Sequence, residues 1–312
     1  MIEIYVYALD FFCLKRYTLN NETERKYQAM NILVVGLGLI GGSLCKAMKK
    51  YTYHTVYGEN RSKETEEYAL RDIAIDHKFG GDYSAIDLVI ISLYPEATEK
   101  YLADHAHEMA RGTLITDVCG IKGDFAARMT KLAADNEMRY VGMHPMAGKE
   151  FGGYQNSTAD LFQRANFVIT ADGDSDADGV KTLEALAKEL GAGKIVITTP
   201  ENHDKMIAYT SQLAHIVSSA YVKSPELELE CGFSGGSFQD MTRIATMNET
   251  MWTELFMQNS RHLQYELDTL IANLQTYSDA LRNGDSERMK LLIAEGRELK
   301  EKNLRNRVGQ PN

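Results

Sequence analysis

Residues 31–43 read Asn31-Ile32-Leu33-Val34-Val35-Gly36-Leu37-Gly38-Leu39-Ile40-Gly41-Gly42-Ser43. A short apolar run that stops at a glycine predicts a buried strand. The residues after it predict a helix, so Gly36, Gly38 and Gly41 stand at GxGxxG spacing between strand and helix. In that setting the first glycine permits a tight turn. The second lets backbone approach a pyrophosphate, and the third lets the helix pack close to the strand. Exposed N–H groups at the helix start then hold the pyrophosphate. The pattern alone is a weak sign, because glycine-rich turns also occur without a ligand. The strand before it and the helix after it favour a dinucleotide, with Gly36, Leu37, Gly38, Leu39, Ile40 and Gly41 around it.

Outward from this loop the chain alternates. Leu39 to Lys50 predicts a helix, His54 to Gly58 a second strand, and Ser62 to Arg71 a helix capped by Ser62. Ile86 to Ser92 predicts the next strand, and Ser92 at its end joins the expected cofactor contacts. Gly112 to Val118 predicts a strand, Asp124 to Asn136 a helix, Arg139 to Met143 a strand, and Lys194 to Thr198 the last strand. This rhythm predicts an α/β, Rossmann-type, doubly wound, mostly parallel sheet over residues 30–199.

The rhythm stops near Thr199. Asp204 to Lys223 and Glu249 to Asn283 carry apolar residues at helical spacing, Asn283-Gly284 breaks the chain, and Asp285 to Leu304 predicts a final helix. Residues 200–312 are therefore expected to be an all-α domain. A helix of roughly 30 residues would span about 45 Å, long enough to favour packing on a partner subunit.

The chain has 312 residues, which at about 150 per domain fits two domains. Its formal charge of −10 and the lack of a basic cluster argue against nucleic acid as a partner. No uncharged apolar run is long enough to span a membrane. Cys13, Cys45, Cys119 and Cys231 are scattered without a CxxC pair, which fits a reducing cytoplasm. Glu3 and Asp10 interrupt the apolar start, so no signal peptide is expected. Met30, directly before the first strand, is an alternative start, and residues 1–29 are an N-terminal extension.

At the end of the second strand, Glu59 and Asn60 lie 23 and 24 residues after Gly36, where a carboxylate would bind ribose hydroxyls. If Asn60 takes that place, no carboxylate repels a 2′-phosphate, and Arg61 and Ser62 can bind one. This favours NADP over NAD. Asp117 and His144 fall at strand ends, where ligands of such sheets sit, and Pro145 stiffens the chain after His144. His54, His77, His105, His107 and His262 lack that context, and without an HExxH or a paired Cys/His spacing no metal site is expected. The helical half offers His203-Asp204 with Ser211, Gln212 and His215. It also offers the glycine-rich run Gly232 to Arg243, whose Arg243 can grip a carboxylate in bidentate fashion.

GLGLIGGS at 36–43, TDVCGIK at 116–122, GMHPMAGKE at 142–150, HD at 203–204 and FQDMTRIA at 238–245 with Trp252 resemble the prephenate dehydrogenase family. The resemblance runs from about 31 to 300, in the family's order and spacing. It implies an oxidative decarboxylation. Prephenate loses hydride from ring C4 to the nicotinamide and CO2 from C1, giving 4-hydroxyphenylpyruvate for tyrosine biosynthesis. It implies that neutral His144 draws the proton from the ring hydroxyl and that Arg243 anchors a carboxylate. It also implies that His215 and Trp252 line the pocket, that Glu150 gates the entrance, and that the enzyme is a homodimer.

Three positions depart from the commoner pattern. Gly120 replaces a serine that contacts the substrate hydroxyl. Ser211-Gln212-Leu213-Ala214-His215 lacks one histidine and a proline, and Gln239 replaces a basic residue. Arogenate, the amino analogue, therefore stays open as a substrate, as does a nucleotide-sensing relative without turnover. The chain ends at Asn312, soon after the helical domain, so no appended regulatory domain is expected, although tyrosine can still compete at the site itself.

Overall fold

The computed structural model describes residues 29–149, 151–172 and 176–308. The expected extension therefore lies almost wholly outside the described residues, as does Glu150. The first strand is β1 (Asn31–Val35), followed by α1 (Leu39–Tyr51), β2 (Thr55–Glu59), α2 (Lys63–Arg71) and the short β3 (His77–Lys78). Then come β4 (Leu88–Ile91), α3 (Pro95–His105), β5 (Leu114–Asp117), α4 (Gly123–Asp135) and β6 (Arg139–Tyr140). These six strands form one sheet in the order β3-β2-β1-β4-β5-β6, parallel throughout.

The sheet is covered on both faces, so its strands are apolar on both sides. Ile32 and Val34 join Leu88 and Ile90 in one core, while Leu33 and Val35 join Val89 and Ile91 in the other. Helix α1 closes the first core with Leu44, Cys45, Ala47 and Met48, all fully buried. Complete burial of a side chain such as Leu44 contributes about 1.5–3 kcal/mol. Strand order reverses between β1 and β4, and ligands of such sheets bind at that switch point.

The expected strand from Arg139 to Met143 is two strands. The chain leaves the first sheet at Val141, and β7 (Gly142–Met146) pairs antiparallel with β8 (Asn166–Thr170). Strand β9 (Lys194–Thr198) pairs parallel with β8 to complete a second sheet of three strands. His144 consequently lies in the middle of β7 rather than at a strand end. Helix α5 (Ala177–Glu189) packs Leu183, Leu186 and Ala187 into the first core.

Past Thr199 the structure is helical. Helix α6 (Pro200–Ile207) runs through a π turn at Ala208–Gln212 into α7 (Leu213–Tyr221). Then follow the short α8 (Gly236–Thr242), α9 (Glu249–Gln258), α10 (Ser260–Arg282) and α11 (Ser286–Val308). The single long helix expected from Glu249 is broken at Asn259. Its buried side-chain amide donates to the Asp204 carbonyl at 2.8 Å and to Gln212 Oε1 at 2.7 Å. Those bonds hold the residue at φ −115°, outside helical geometry. The two pieces are 10 and 23 residues long, so the length argument for a partner subunit falls. No helix among the described residues is long and apolar enough to cross a membrane.

Candidate active site

The glycine loop follows β1 at the switch point. Gly36 has φ +90°, and a Cβ there would stand 2.4 Å from the Ser92 carbonyl oxygen. A Cβ on Gly41 would stand 1.9 Å from the Gly36 carbonyl oxygen, so α1 and the loop touch backbone to backbone. A Cβ on Gly38 would meet nothing within 4 Å. The first and third glycines are thus required by the fold itself, while the second borders open space. No side chain caps α1 at Gly38 and its first turn holds no acidic residue. Its N–H groups and the positive end of its dipole are a ready anion site. The residues fit a dinucleotide pyrophosphate. Leu37, Leu39 and Ile40 line the same loop, with Leu37 fully buried.

At the end of β2 the Asn60 side chain turns inward, and its Oδ1 accepts from the Leu37 N–H at 3.0 Å. Glu59 instead accepts from the Tyr101 hydroxyl at 2.5 Å. Arg61 is exposed and forms no ion pair among the described residues. Ser62 caps α2 by accepting from the Thr65 N–H.

From the loop a continuous path leads to His144. Ser92 packs on Gly36, and the Leu93 carbonyl accepts from Cys119 Sγ at 3.5 Å. Gly120 follows Cys119, and a Cβ there would lie 3.8 Å from His144 Nε2 and Cε1. The Nε2 edge of His144 therefore faces Gly120, with Leu255 of α9 beside it. The other edge of the ring points inward: Nδ1 lies 2.9 Å from His203 Nε2, and His203 Nδ1 lies 2.7 Å from Asp204 Oδ1. Asp204 Oδ1 also accepts from the Lys122 N–H at 2.7 Å.

Asp117 does not face a ligand. It is fully buried, and its Oδ1 accepts from Lys122 Nζ and the Cys119 N–H, each at 2.7 Å. Its Oδ2 accepts from the Tyr140 hydroxyl at 2.6 Å, and Lys122 Nζ also donates to the Cys119 carbonyl at 2.8 Å. Burial holds His144 well below the ordinary imidazole value, and the charges of His203 and Lys122 add to this. Burial lowers His203 too, against the opposing pull of Asp204. A neutral imidazole with one accessible edge can accept a proton from a hydroxyl.

The expected cluster of His203, Asp204, Ser211, Gln212 and His215 divides in two. His203 and Asp204 join His144, and Gln212 joins them through Asn259. Ser211 contributes its carbonyl, which accepts from His215 Nδ1 at 2.9 Å. The His215 ring stacks on Trp252 with centroids 3.8 Å apart, and burial with the nearby Arg243 charge lowers its proton affinity. Gln239 on α8 is exposed, and its side chain forms no hydrogen bond among the described residues. Lys122, Tyr140 and Asn259 belong to the site although sequence reasoning passed them over. The signal for the last was Asn259-Ser260, two poor interior residues inside an otherwise helical pattern.

The description "Prephenate dehydrogenase, nucleotide-binding domain" matches residues 44–197, and "Prephenate dehydrogenase, dimerization domain" matches 199–295. The prephenate dehydrogenase of Bacillus subtilis (strain 168) is 30% identical over 271 residues, 83% of this chain and 72% of that one. The cyclohexadienyl dehydrogenase of Zymomonas mobilis is 27% identical over 270 residues, 82% of this chain and 90% of that one. A crystal structure of prephenate dehydrogenase from Aquifex aeolicus, in complex with hydroxyphenyl propionate and NAD+, shares the fold at a TM-score of 0.78. It is 24% identical and covers 89% of this chain and 99% of that one. The glycine cradle and these matches define an oxidoreductase that uses a nicotinamide cofactor. The chain belongs to the prephenate dehydrogenase family.

Proposed function

We propose that the chain oxidises and decarboxylates prephenate to 4-hydroxyphenylpyruvate, with NADP favoured over NAD. The observation that carries this reading is the path from Gly36 through Ser92, Leu93 and Gly120 to the Nε2 edge of His144. The bound nicotinamide would supply the hydride acceptor. The chain's own residues do the rest. The α1 start and the loop from Gly36 to Gly41 hold the pyrophosphate, flanked by Ser92, and Arg61 and Ser62 take the ribose 2′-phosphate beside Asn60, which brings no carboxylate to repel it. His144 accepts the proton of the ring hydroxyl, and its burial beside Lys122 keeps it neutral beforehand. Gly120 leaves room beside that proton. Arg243 anchors a carboxylate next to the stacked His215 and Trp252, with Ser211, Gln239 and Glu150 completing the substrate side. Orientation and placed charge supply the catalysis, because aromatisation drives the reaction forward.

A homodimer through the helical half fits this reading. Leu229, Phe233, Ile271, Leu274 and Leu281 are exposed there, Phe233 at 91%, and a second copy would cover them. The buried thiols of Cys45 and Cys119 fit a reducing cytoplasm. A second reading, oxidation of arogenate, draws on Gln239 in place of a cation and on the cyclohexadienyl dehydrogenase relative. The test is the near-ultraviolet absorbance of reduced nicotinamide with each substrate and each cofactor. Reduction with prephenate supports the first reading and reduction with arogenate alone moves the substrate. No reduction in any combination refutes both.

A further inference from the structure

We propose that His203, held by Asp204, is a positioning residue that fixes His144 in the tautomer whose Nε2 is free to accept the substrate proton. The inference rests on the proposed role of His144 and adds what prepares it. An ionised carboxylate only accepts hydrogen bonds, so His203 Nδ1 must donate to Asp204 Oδ1 across their 2.7 Å contact. His203 Nε2 then carries a lone pair. Across the 2.9 Å contact His144 Nδ1 must donate to it, which leaves the lone pair of His144 on Nε2, the edge facing Gly120. The reverse order would set a lone pair against the carboxylate.

Asp204 can play this part because it is pinned from both halves of the chain. Its Oδ1 accepts the Lys122 N–H at 2.7 Å, and its Oδ2 would lie 2.6 Å from a Cβ on Gly123, so only glycine fits there. Its backbone carbonyl accepts from Asn259 at the break between α9 and α10. His203 and Asp204 are 1% and 3% exposed, so water does not compete for these bonds.

Of the charges around the pair, Asp204 is the carboxylate bonded directly to it. Lys122, paired with Asp117, disfavours protonation of both imidazoles, Tyr140 on β6 gives its hydroxyl to Asp117, and β8 sets the uncharged Val168 opposite His144. From the helical half, His215 stacks on Trp252 with Arg243 nearby. When the substrate O–H bond breaks and the proton joins His144 Nε2, the positive charge is shared with His203 and faces the Asp204 carboxylate.

Three measurements test this. Heteronuclear NMR of the ring nitrogens in the resting protein, assigned with His144→Asn, should find His144 protonated at Nδ1 and bare at Nε2. Asp204→Asn keeps an oxygen for Lys122 and His203 but removes the charge. It should bind dinucleotide as the parent does and move the acidic limb of log kcat to lower pH. Asp204→Leu removes the acceptor and should lower kcat by about a hundredfold or more, the range of general acid–base catalysis. A His144 protonated at Nε2, or an acidic limb that stays in place in Asp204→Asn, overturns the proposal. The NMR result requires neither turnover nor a variant of Asp204. A chain that oxidises neither substrate would therefore refute the function without touching the tautomer.

Discussion

The glycine loop makes a prediction in which two substitutions of one kind part company. A methyl on Gly41 would stand 1.9 Å from the Gly36 carbonyl oxygen and 3.1 Å from Ser92 Cβ. Ordinary contact begins near 3.4 Å, so α1 must retreat by about 1.5 Å. That helix carries Leu44, Cys45, Ala47 and Met48, all fully buried, and moving it disturbs a packed core. Overpacking of this sort costs about 1–3 kcal/mol. Displacing a cradle by an ångström or more also removes about a hundredfold of turnover. Gly38→Ala differs. Its methyl meets nothing within 4 Å, and Gly38 has an ordinary φ of −81°. The entropy gained from the unfolded chain, about 0.4–1 kcal/mol, offsets a poorer N-cap. Stability should stay within about 1 kcal/mol of the parent, while the methyl enters the space the pyrophosphate needs and weakens dinucleotide binding about tenfold or more. Urea unfolding and calorimetric titration with the dinucleotide separate the two effects. Gly38→Ala binding as tightly as the parent would refute the cradle, and Gly41→Ala unfolding with the parent would refute the backbone contact.

Other outcomes follow from the same geometry. Lys122→Met strips the cation from a pair that is 0% exposed on both sides. It should destabilise the chain by about 3–5 kcal/mol in urea unfolding, the range for a buried charge left alone. Arg61→Ala should raise KM for NADP about ten- to hundredfold, from a lost charge-assisted bond of about 1.5–3 kcal/mol, and leave NAD kinetics unchanged. His144 and His203 take up protons less readily folded than unfolded. Their contribution to stability is therefore intact above about pH 6.5 and declines as pH falls toward their lower folded values. Each adds at most about 1.4 kcal/mol per pH unit. Unfolding midpoints should drop between about pH 7 and 5.5, and His144→Asn should make the drop shallower.

The parts of the fold that were legible are those written in local sequence. Strand β1, the glycine loop and α1 follow from one apolar run and one spacing, and Ser62 caps α2 as expected because a cap is a contact three residues away. The second sheet was hidden. Met143-His144-Pro145 continues the apolar run from Arg139, and nothing nearby tells that β7 leaves to pair antiparallel with β8. The kink at Asn259 was hidden for a related reason, since its partners Asp204 and Gln212 lie 55 and 47 residues away.

For the site, residue types were readable and their partnerships were not. His144 and the adjacent His203-Asp204 are visible in the chain, but the bond that joins them spans 59 positions. Lys122 was hidden by its charge, because a lysine by default suggests a solvated face. Asp117 lies only five residues away, and the pair is buried because Tyr140 and the Cys119 backbone supply the remaining hydrogen bonds. With His144 in its proposed role, the same dependence makes the helical half necessary for the chemistry of the first. His144 stands on a strand of the α/β half, but the groups that set its tautomer are on α6 and are braced by Asn259. An isolated α/β half would keep the glycine cradle, which is built from β1, α1 and the Ser92 turn. It would lose the partner of His144 Nδ1, and with it the reason for the lone pair to stand toward the substrate.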